Sequence, residues 1–340
     1  MSLNRIIGAV AVAMALMTSG IVHAANYKPL DGDPKELNFG FISTESSQNL
    51  KNQWEPLLAD LAKALKMPVK SFFASDYAGI IEGMRFGKVQ TAWLGNKSAM
   101  EAVDRANAEV FAQQVNSDGT QGYYSYVLVS KENTKLNSLT DLLKCDKSLN
   151  FGIGDPNSTS GYLVPSFYVF AQNKADPKTC FKTVRTANHE TNLAAVANKQ
   201  VDAATNNSEQ LGRTMANLPE LAAKVKVIWT SPLIPSDPMV YRRDLSNEMK
   251  ARIKGFFLTY GRLGNDAERE KKVLAGISAG LAPFVDSGNY QLYPVRELEL
   301  FKDRLKFESD DRMDKNEKAR KIADIDSQLM ELKVLTKAIM

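Results

Sequence analysis

The sequence Asp155-Pro-Asn-Ser-Thr-Ser-Gly161 lies between a short apolar run, 149–153, and a longer run of large apolar side chains, 162–171. The short run predicts a strand and the longer one a helix, so the three hydroxyl residues fall at a strand-to-helix junction. The first turn of a helix has backbone N–H groups without intrahelical partners. Hydroxyls beside those groups would favour an anion, helped by the helix dipole, although the same residue types also serve as ordinary N-caps.

An internal repeat indicates the architecture. Leu37-Asn-Phe-Gly40 recurs as Leu149-Asn-Phe-Gly152, an offset of 112 residues. The same offset relates 80–92 to 192–204, and in both copies a helix ends in a turn and enters a strand of small residues. Each copy therefore predicts the order β-α-β-α-β, and strands that alternate with helices indicate a parallel sheet.

The chain begins with a predicted targeting segment. Arg5 is the only charge before an apolar stretch, 6–17, and small residues follow at the cleavage-type positions, as in a secretory signal peptide. The remaining chain is expected to be exported and is too long for one hydrophobic core, so two lobes are expected. The predicted organisation is a signal peptide at 1–24, a first lobe at 36–126, a second lobe at 127–232, a return to the first lobe at 233–305, and a helical tail at 306–340. The predicted fold class is α/β and two-lobed, each lobe being a mostly parallel sheet flanked by helices.

Composition narrows the choice of partners. The chain has 43 Lys and Arg against 39 Asp and Glu, a balance that does not favour nucleic acid or a membrane surface. His189 is the only histidine after the predicted signal peptide. A zinc site or a Ser-His-Asp triad would have to be built around that single imidazole, so neither a metal nor another cofactor is expected.

Parallel sheets bind ligands beyond the carboxyl ends of their strands. In the first copy this rule selects the loops 43–48, 76–77 and 93–96, and in the second it selects 155–160, 188–190 and 205–209. Tyr77 and His189 stand at the same offset of 112 in the two copies. Matching loops from two lobes that face one another describe a cleft between the lobes.

The motifs of these loops resemble a known family. They are similar to the periplasmic phosphonate-binding proteins of bacterial ABC transporters, the PhnD type, from about residue 37 into the tail. The resemblance implies a type II periplasmic binding protein that closes on 2-aminoethylphosphonate or a related phosphonate and delivers it to a membrane permease. The motifs are Asn38-Phe-Gly-Phe-Ile-Ser-Thr-Glu45, Asp76-Tyr-Ala-Gly-Ile80, Asp155-Pro-Asn-Ser-Thr-Ser-Gly161, Asn188-His-Glu-Thr-Asn192, Ala204-Thr-Asn-Asn207 and Ser231-Pro-Leu-Ile-Pro235.

The resemblance also implies roles for individual residues. As an imidazolium, the histidine would give the phosphonate a charge-assisted hydrogen bond. A partly buried ammonium needs a carboxylate partner, and tyrosine faces suit it through cation–π contacts. The ligand loops carry no Arg or Lys, which leaves the rest of the cleft free to be acidic. The implied phosphonate contacts are Ser158, Thr159, Ser160 and His189, and the implied ammonium contacts are Tyr77, Tyr123, Glu209 and Asp237.

Other functions stay open from the sequence. A protein of the same fold could bind phosphate, phosphite or sulfate, but those ligands would leave Glu209, Asp237 and the tyrosines without a role. An enzyme on this fold would need a general base, for which His189 is the only histidine. An exported signalling protein that presents a ligand to a receptor is a third possibility.

Two further predictions concern the covalent and quaternary structure. Cys145 and Cys180 each precede a predicted strand of the second lobe, and neighbouring parallel strands would bring them together as a disulfide, the alternative being two buried thiols. In the tail, an apolar stripe with the spacing of a coiled-coil seam needs a cover. We expect a homodimer contact there, with docking onto the first lobe as the alternative. The stripe consists of Ile322, Ile325, Leu329, Leu332, Thr336 and Ile339.

Overall fold

The computed structural model describes residues 27–339, and the predicted signal peptide at 1–24 lies outside the described residues. The strands are β1 (Leu37–Phe41), β2 (Val69–Phe73), β3 (Thr91–Trp93), β4 (Ala108–Asn116), β5 (Gly122–Tyr123), β6 (Ser125–Ser130), β7 (Asn150–Ile153), β8 (Thr183–Thr186), β9 (Ala203–Asn207), β10 (Val225–Thr230), β11 (Ile234–Pro235), β12 (Pro238–Arg242) and β13 (Leu281–Asp286). The α-helices are α1 (Ser47–Leu65), α2 (Tyr77–Arg85), α3 (Asn96–Arg105), α4 (Leu139–Leu142), α5 (Pro177–Cys180), α6 (His189–Ala197), α7 (Ser208–Asn217), α8 (Pro219–Ala222), α9 (Asn247–Thr259), α10 (Ala267–Ala275), α11 (Tyr293–Glu308) and α12 (Lys315–Ile339).

The strands form two separate sheets, as the internal repeat predicts. The first has the order β13-β4-β12-β3-β1-β2 and the second the order β10-β6-β9-β7-β8. In the first, β1 pairs in parallel with β2 and β3; in the second, β7 pairs in parallel with β8 and β9. These parallel strands form one end of each sheet, and the strands added on the other side pair antiparallel. The structure is therefore the predicted α/β fold with two lobes, but each sheet is mixed rather than mostly parallel.

The chain crosses between the sheets through a short antiparallel pair, β5 with β11, in which Tyr123 lies opposite Ile234. The sequence predicts one continuous strand over 122–130, but the strand breaks at Tyr124, which lies outside both β5 and β6. All of β6 belongs to the second sheet, so the predicted lobe boundary after residue 126 falls inside this strand. The predicted boundary after residue 305 likewise falls inside α11.

Each lobe has its own aromatic core. In the first, Trp54 from α1 stacks on Trp93 from β3, with ring centroids 5.5 Å apart. In the second, Phe151 from β7 stacks on Phe181 at 4.5 Å and meets Phe170 edge-on. These rings bury the faces of the parallel strands against their helices, so the carboxyl ends of both sets of strands are held rigidly at the edge where the loops begin.

The segment after β7 is helical but irregular. It consists of two π-helical stretches, Thr159–Leu163 and Ser166–Phe170, followed by a 3₁₀ turn. The sequence predicts a regular helix here. Pro165 lies between the two stretches and has no N–H to donate, which interrupts the regular hydrogen-bond series. Wide turns of this kind occur frequently at functional sites.

The predicted disulfide between Cys145 and Cys180 is present. The two cysteines precede β7 and β8, which pair in parallel. Cross-links of this sequence separation, 35 residues, commonly stabilise a fold by about 2–4 kcal/mol.

We expect the double variant Cys145→Ser, Cys180→Ser to lose that amount of unfolding free energy, measured by denaturant unfolding. Reducing the wild-type protein should give the same loss, and reductant should leave the double variant unchanged. Two free thiols in the denatured, unreduced wild type would contradict the bond.

The C-terminal helix α12 folds back along α11. Arg304 Nε lies 2.7 Å from Asp326 Oδ1, and Lys321 lies over the ring of Phe307. Ile325 and Leu332, from the predicted seam, are buried in this single chain. The cover of the seam is therefore the preceding helix, and a homodimer contact would have to use the other side of α12. The homodimer stays a prediction.

Candidate ligand-binding site

The eight residues named from the sequence line one enclosed cavity between the two lobes. Its empty volume, with the open space at its mouth included, is about 290 Å³. The loops around it follow the carboxyl ends of the parallel strands of both sheets, as the sequence predicts. The cavity is lined by Ile42, Thr44, Tyr77, Trp93, Gly95, Tyr123, Ser158, Thr159, Ser160, His189, Asn207, Glu209, Arg213 and Asp237.

One end of the cavity consists of hydroxyl and imidazole groups. Ser158 caps the first π-helical stretch, and its Oγ accepts a hydrogen bond from the backbone N–H of Gly161 at 3.0 Å. Ser158 Oγ and Ser160 Oγ each lie 3.4 Å from His189 Nε2. Asn207 Nδ2 donates to Ser160 Oγ at 3.1 Å. These donors surround the opening turn of a helix, where backbone N–H groups lack intrahelical partners and favour an anion.

Thr159 lies in the same turn, but its hydroxyl oxygen already accepts a hydrogen bond from the first lobe. The Oγ1 atom accepts a hydrogen bond from the backbone N–H of Lys97, in the first lobe, at 2.9 Å. The backbone of Gly95 approaches so closely that a Cβ atom there would lie 3.3 Å from this oxygen. Thr159 therefore joins the two lobes as well as lining the cavity, and its hydroxyl proton stays available to a ligand.

His189 is neutral in the ligand-free site. Burial, and then the nearby charge of Arg213, lower the pKa of its imidazole to about 3. The sequence predicts the imidazolium for the complex with a phosphonate, and that stays a prediction, whereas the empty cavity favours the neutral ring. Burial stabilises the neutral ring, and a bound dianion would have to raise the pKa of His189 before the ring could donate two hydrogen bonds.

The other end of the cavity is acidic. Asp237 Oδ2 accepts a hydrogen bond from Trp93 Nε1 at 3.2 Å, whereas its Oδ1 is buried without a hydrogen-bond partner among residues 27–339. Burial, followed by the charge of Glu209, raises the pKa of Asp237 well above its ordinary value. Burial also raises the pKa of Glu209, against the opposing charge of Arg213. Two buried carboxyl groups that disfavour each other's ionisation would be relieved by a cation.

The two tyrosines complete the cavity. Tyr77 comes from the first lobe, at the start of α2, and Tyr123 from the crossing strand β5. Both side chains are buried. Burial raises the pKa of Tyr77 and that of Tyr123, with smaller contributions from neighbouring carboxylates. Both hydroxyls therefore keep their protons, and each hydroxyl oxygen can still accept a hydrogen bond from a ligand.

Sequence reasoning missed Arg213, the cationic side chain of the cavity wall. The residue is 4% exposed and lies one helical turn after Glu209 on α7, outside the loops that the strand-end rule selects. Its Nη1 donates to Ser278 Oγ of the first lobe at 2.8 Å, and its Nε lies 3.3 Å from Glu45 Oε1. The wall residues Thr44 and Asn207 lie within motifs quoted from the sequence, but they were not selected individually.

No group of three or more His, Cys, Asp or Glu side chains among residues 27–339 could hold a metal ion. Within the same residues, none of the helices has the length and apolar character needed to cross a bilayer.

Two α/β lobes, joined by short crossing strands and enclosing a polar cavity, define the class of bilobal solute-binding proteins. A sequence model of the family described as "ABC transporter, phosphonate, periplasmic substrate-binding protein" matches residues 39–291. The chain belongs to this family, and the protein is thus the phosphonate-binding periplasmic component of an ABC transporter and not an enzyme.

Individual relatives agree with this assignment. The chain is 52% identical to the phosphonates-binding periplasmic protein of Escherichia coli K12, over 90% of this chain and 88% of the relative. The structure of a binding protein component of an ABC phosphonate transporter from Pseudomonas aeruginosa is similar, with a TM-score of 0.85 and 50% identity. That comparison covers 91% of this chain and 100% of the other. A Prochlorococcus marinus protein in complex with methylphosphonate shares the fold, with a TM-score of 0.67 and 24% identity over 78% of this chain and 97% of the other.

Proposed function

We propose that this protein binds 2-aminoethylphosphonate, or a closely related aminoalkylphosphonate, in the cavity between its lobes and delivers it to the permease. The observation that carries the proposal is the free Oδ1 atom of Asp237, buried in the same cavity as the Ser158, Ser160 and His189 cluster. A phosphonate at the cluster and an ammonium at Asp237 would satisfy both ends together.

The serine and histidine groups are the phosphonate contacts in this proposal, with the hydroxyl proton of Thr159 as a further donor. Glu209, Asp237, Tyr77 and Tyr123 are the ammonium contacts. Plain oxyanions such as phosphate or phosphite would occupy only the cluster and would leave the two buried carboxyl groups unrelieved. We therefore expect them to bind more weakly than an aminoalkylphosphonate.

Calorimetry with three ligands tests the proposal. 2-Aminoethylphosphonate should bind most tightly, methylphosphonate more weakly, and inorganic phosphate weakest. The comparison between the first two isolates the aminomethyl extension of the ligand. Equal affinities for 2-aminoethylphosphonate and methylphosphonate would contradict the ammonium site, and preference for phosphate would indicate the alternative oxyanion function.

Proton release should accompany binding of the ammonium. In the empty site burial and the charge of Glu209 raise the pKa of Asp237, and an ammonium beside the buried carboxyl pair would lower that pKa. Between the two pKa values the carboxyl pair holds fewer protons in the complex than in the free protein, so its contribution to the affinity should rise with pH until the pH exceeds the raised pKa. Calorimetry in two buffers with different ionisation enthalpies measures the protons released.

The matched control for this measurement is Asp237→Asn, which keeps the side-chain shape and the ionisation of the ligand's own phosphonate. Proton release on binding 2-aminoethylphosphonate should be smaller in this variant than in the wild-type protein. Identical proton counts in the two proteins would show that the carboxyl pair does not titrate on binding.

A further inference from the structure

At the N-termini of three helices of the first lobe, a backbone N–H group donates a hydrogen bond to a side chain of the second lobe. These helices, α1, α2 and α3, follow the parallel strands β1, β2 and β3, so their N-termini all point into the cleft. The acceptors that reach them come from Glu190, Asp155 and Thr159. A helix N-terminus carries unpaired N–H groups and a partial positive charge, which an oxygen acceptor satisfies.

Glu190 makes the most extensive of these contacts. Its Oε2 accepts a hydrogen bond from the backbone N–H of Ser46, the N-cap of α1, at 2.8 Å. Its Oε1 accepts from Asn49 Nδ2, in the first turn of the same helix, at 3.0 Å. The backbone N–H of Glu190 also donates to Thr44 O at 3.4 Å. One carboxylate of the second lobe thus binds two donors of the first lobe.

Asp155 makes the corresponding contact at the next helix. Its Oδ2 accepts from the backbone N–H of Tyr77, the first residue of α2, at 3.2 Å. Together with the bond from Lys97 to Thr159, this places an oxygen of the second lobe at each of the three N-termini. Neither Glu190 nor Asp155 is among the residues that line the cavity, so neither carboxylate would contact a ligand there. Asp155 Oδ1 also accepts a hydrogen bond from the backbone N–H of Asn157 at 2.7 Å, within its own loop.

We infer that Glu190 and Asp155 are closure residues, which determine ligand affinity by stabilising the closed form through hydrogen bonds to the helix N-termini of the first lobe. The inference uses one part of the proposed function, namely that a ligand in the cavity binds the closed form. When the lobes separate, these carboxylates and N–H groups must exchange their partners for water. A ligand that binds only the closed form has an apparent affinity reduced by the fraction of closed protein.

A closure residue can be distinguished from a ligand contact, because every ligand binds the same closed form. Destabilising the closed form should reduce the affinities for 2-aminoethylphosphonate, methylphosphonate and phosphate by the same factor. It should also change the ligand-free protein, in which no binding contact is present. A residue that touched the ligand would instead change the ratio between ligands and leave the ligand-free protein unaffected.

The test measures closure and binding separately. The sequence has two cysteines, both in the disulfide, so spin labels can be attached to the exposed sites Ala59→Cys in the first lobe and Asn198→Cys in the second. Distances between the labels in the ligand-free protein report the closed fraction. Glu190→Gln, Asp155→Ala and, from the first lobe, Asn49→Ala should each increase the population of molecules with a long distance between the labels.

Glu190→Gln should also lower the affinity for each of the three ligands by about fivefold to tenfold. This is the range for loss of a charge-assisted hydrogen bond that is partly exposed.

Glu132→Gln is the matched control. It makes the same charge change in the second lobe, but Glu132 pairs with Lys199 of that lobe, so distances and affinities should stay as in the wild type. Unchanged label distances and unchanged affinities in Glu190→Gln and Asp155→Ala would overturn the inference. A changed ratio between ligands would also overturn it. Failure of the wild-type protein to bind any phosphonate would contradict the proposed function, while the ligand-free distances would still decide the role of the two carboxylates.

Discussion

The double variant Asp237→Asn, Glu209→Gln should bind 2-aminoethylphosphonate at least about a hundredfold more weakly than the wild-type protein. Removing the carboxylate partners of a buried cation leaves its charge uncompensated, which costs about 3–5 kcal/mol. The amide side chains keep the volume of the cavity, and the amide oxygen introduced by Asp237→Asn could still accept the bond that Trp93 Nε1 now gives to Asp237. The loss would therefore report charge rather than shape.

Methylphosphonate provides the internal control. It has no ammonium, so the double variant should bind it as tightly as the wild type or more tightly, because the buried carboxyl pair near the phosphonate is gone. The preference for the aminoalkyl ligand should then disappear. An unchanged ratio of the two affinities would show that Glu209 and Asp237 do not bind the ammonium.

The placement of the site could be predicted from the sequence because it follows from the repeat. Tyr77 and His189 hold equivalent positions in the two copies, and both line the cavity. The strand-end rule works here because the parallel strands of each sheet end at the same edge. The loops that follow them therefore lie close together. The charge state of His189 could not be predicted in this way. It depends on complete burial and on Arg213, and neither is visible in a loop motif.

The features that the sequence did not reveal share a physical cause, which is tertiary packing between helices, strands and loops. Arg213 lies inside a helix, one turn after Glu209, and a spacing of four residues would have indicated a shared helix face. Its contact with Glu45 joins residues far apart in sequence. The apolar stripe of α12 likewise predicts that a cover is needed but not which surface supplies it. Ile325 and Leu332 are buried in the chain itself.

Arg213→Met should weaken the binding of every phosphonate by about a hundredfold or more. In the closed form Glu45 is 7% exposed and would keep only the bond from Gln53 Nε2. Breaking a buried ion pair by removing one partner costs about 3–5 kcal/mol, since the other charge stays buried. The closed form carries this cost because the pair joins the two lobes, so calorimetry should show a loss of affinity for methylphosphonate as well as for 2-aminoethylphosphonate.

A second effect of the same substitution has the opposite sign and makes the experiment decisive. Arg213 lowers the pKa of His189, so its removal makes the imidazole easier to protonate and by itself would favour a phosphonate dianion. Stronger binding in Arg213→Met would therefore mean that the electrostatic effect on His189 exceeds the effect on closure. The double variant Arg213→Met, Glu45→Gln separates the two effects, because it removes both charges of the cross-lobe pair and leaves none buried alone. If the pair acts on closure, this double variant should recover most of the lost affinity, and a double variant as weak as Arg213→Met would contradict that role.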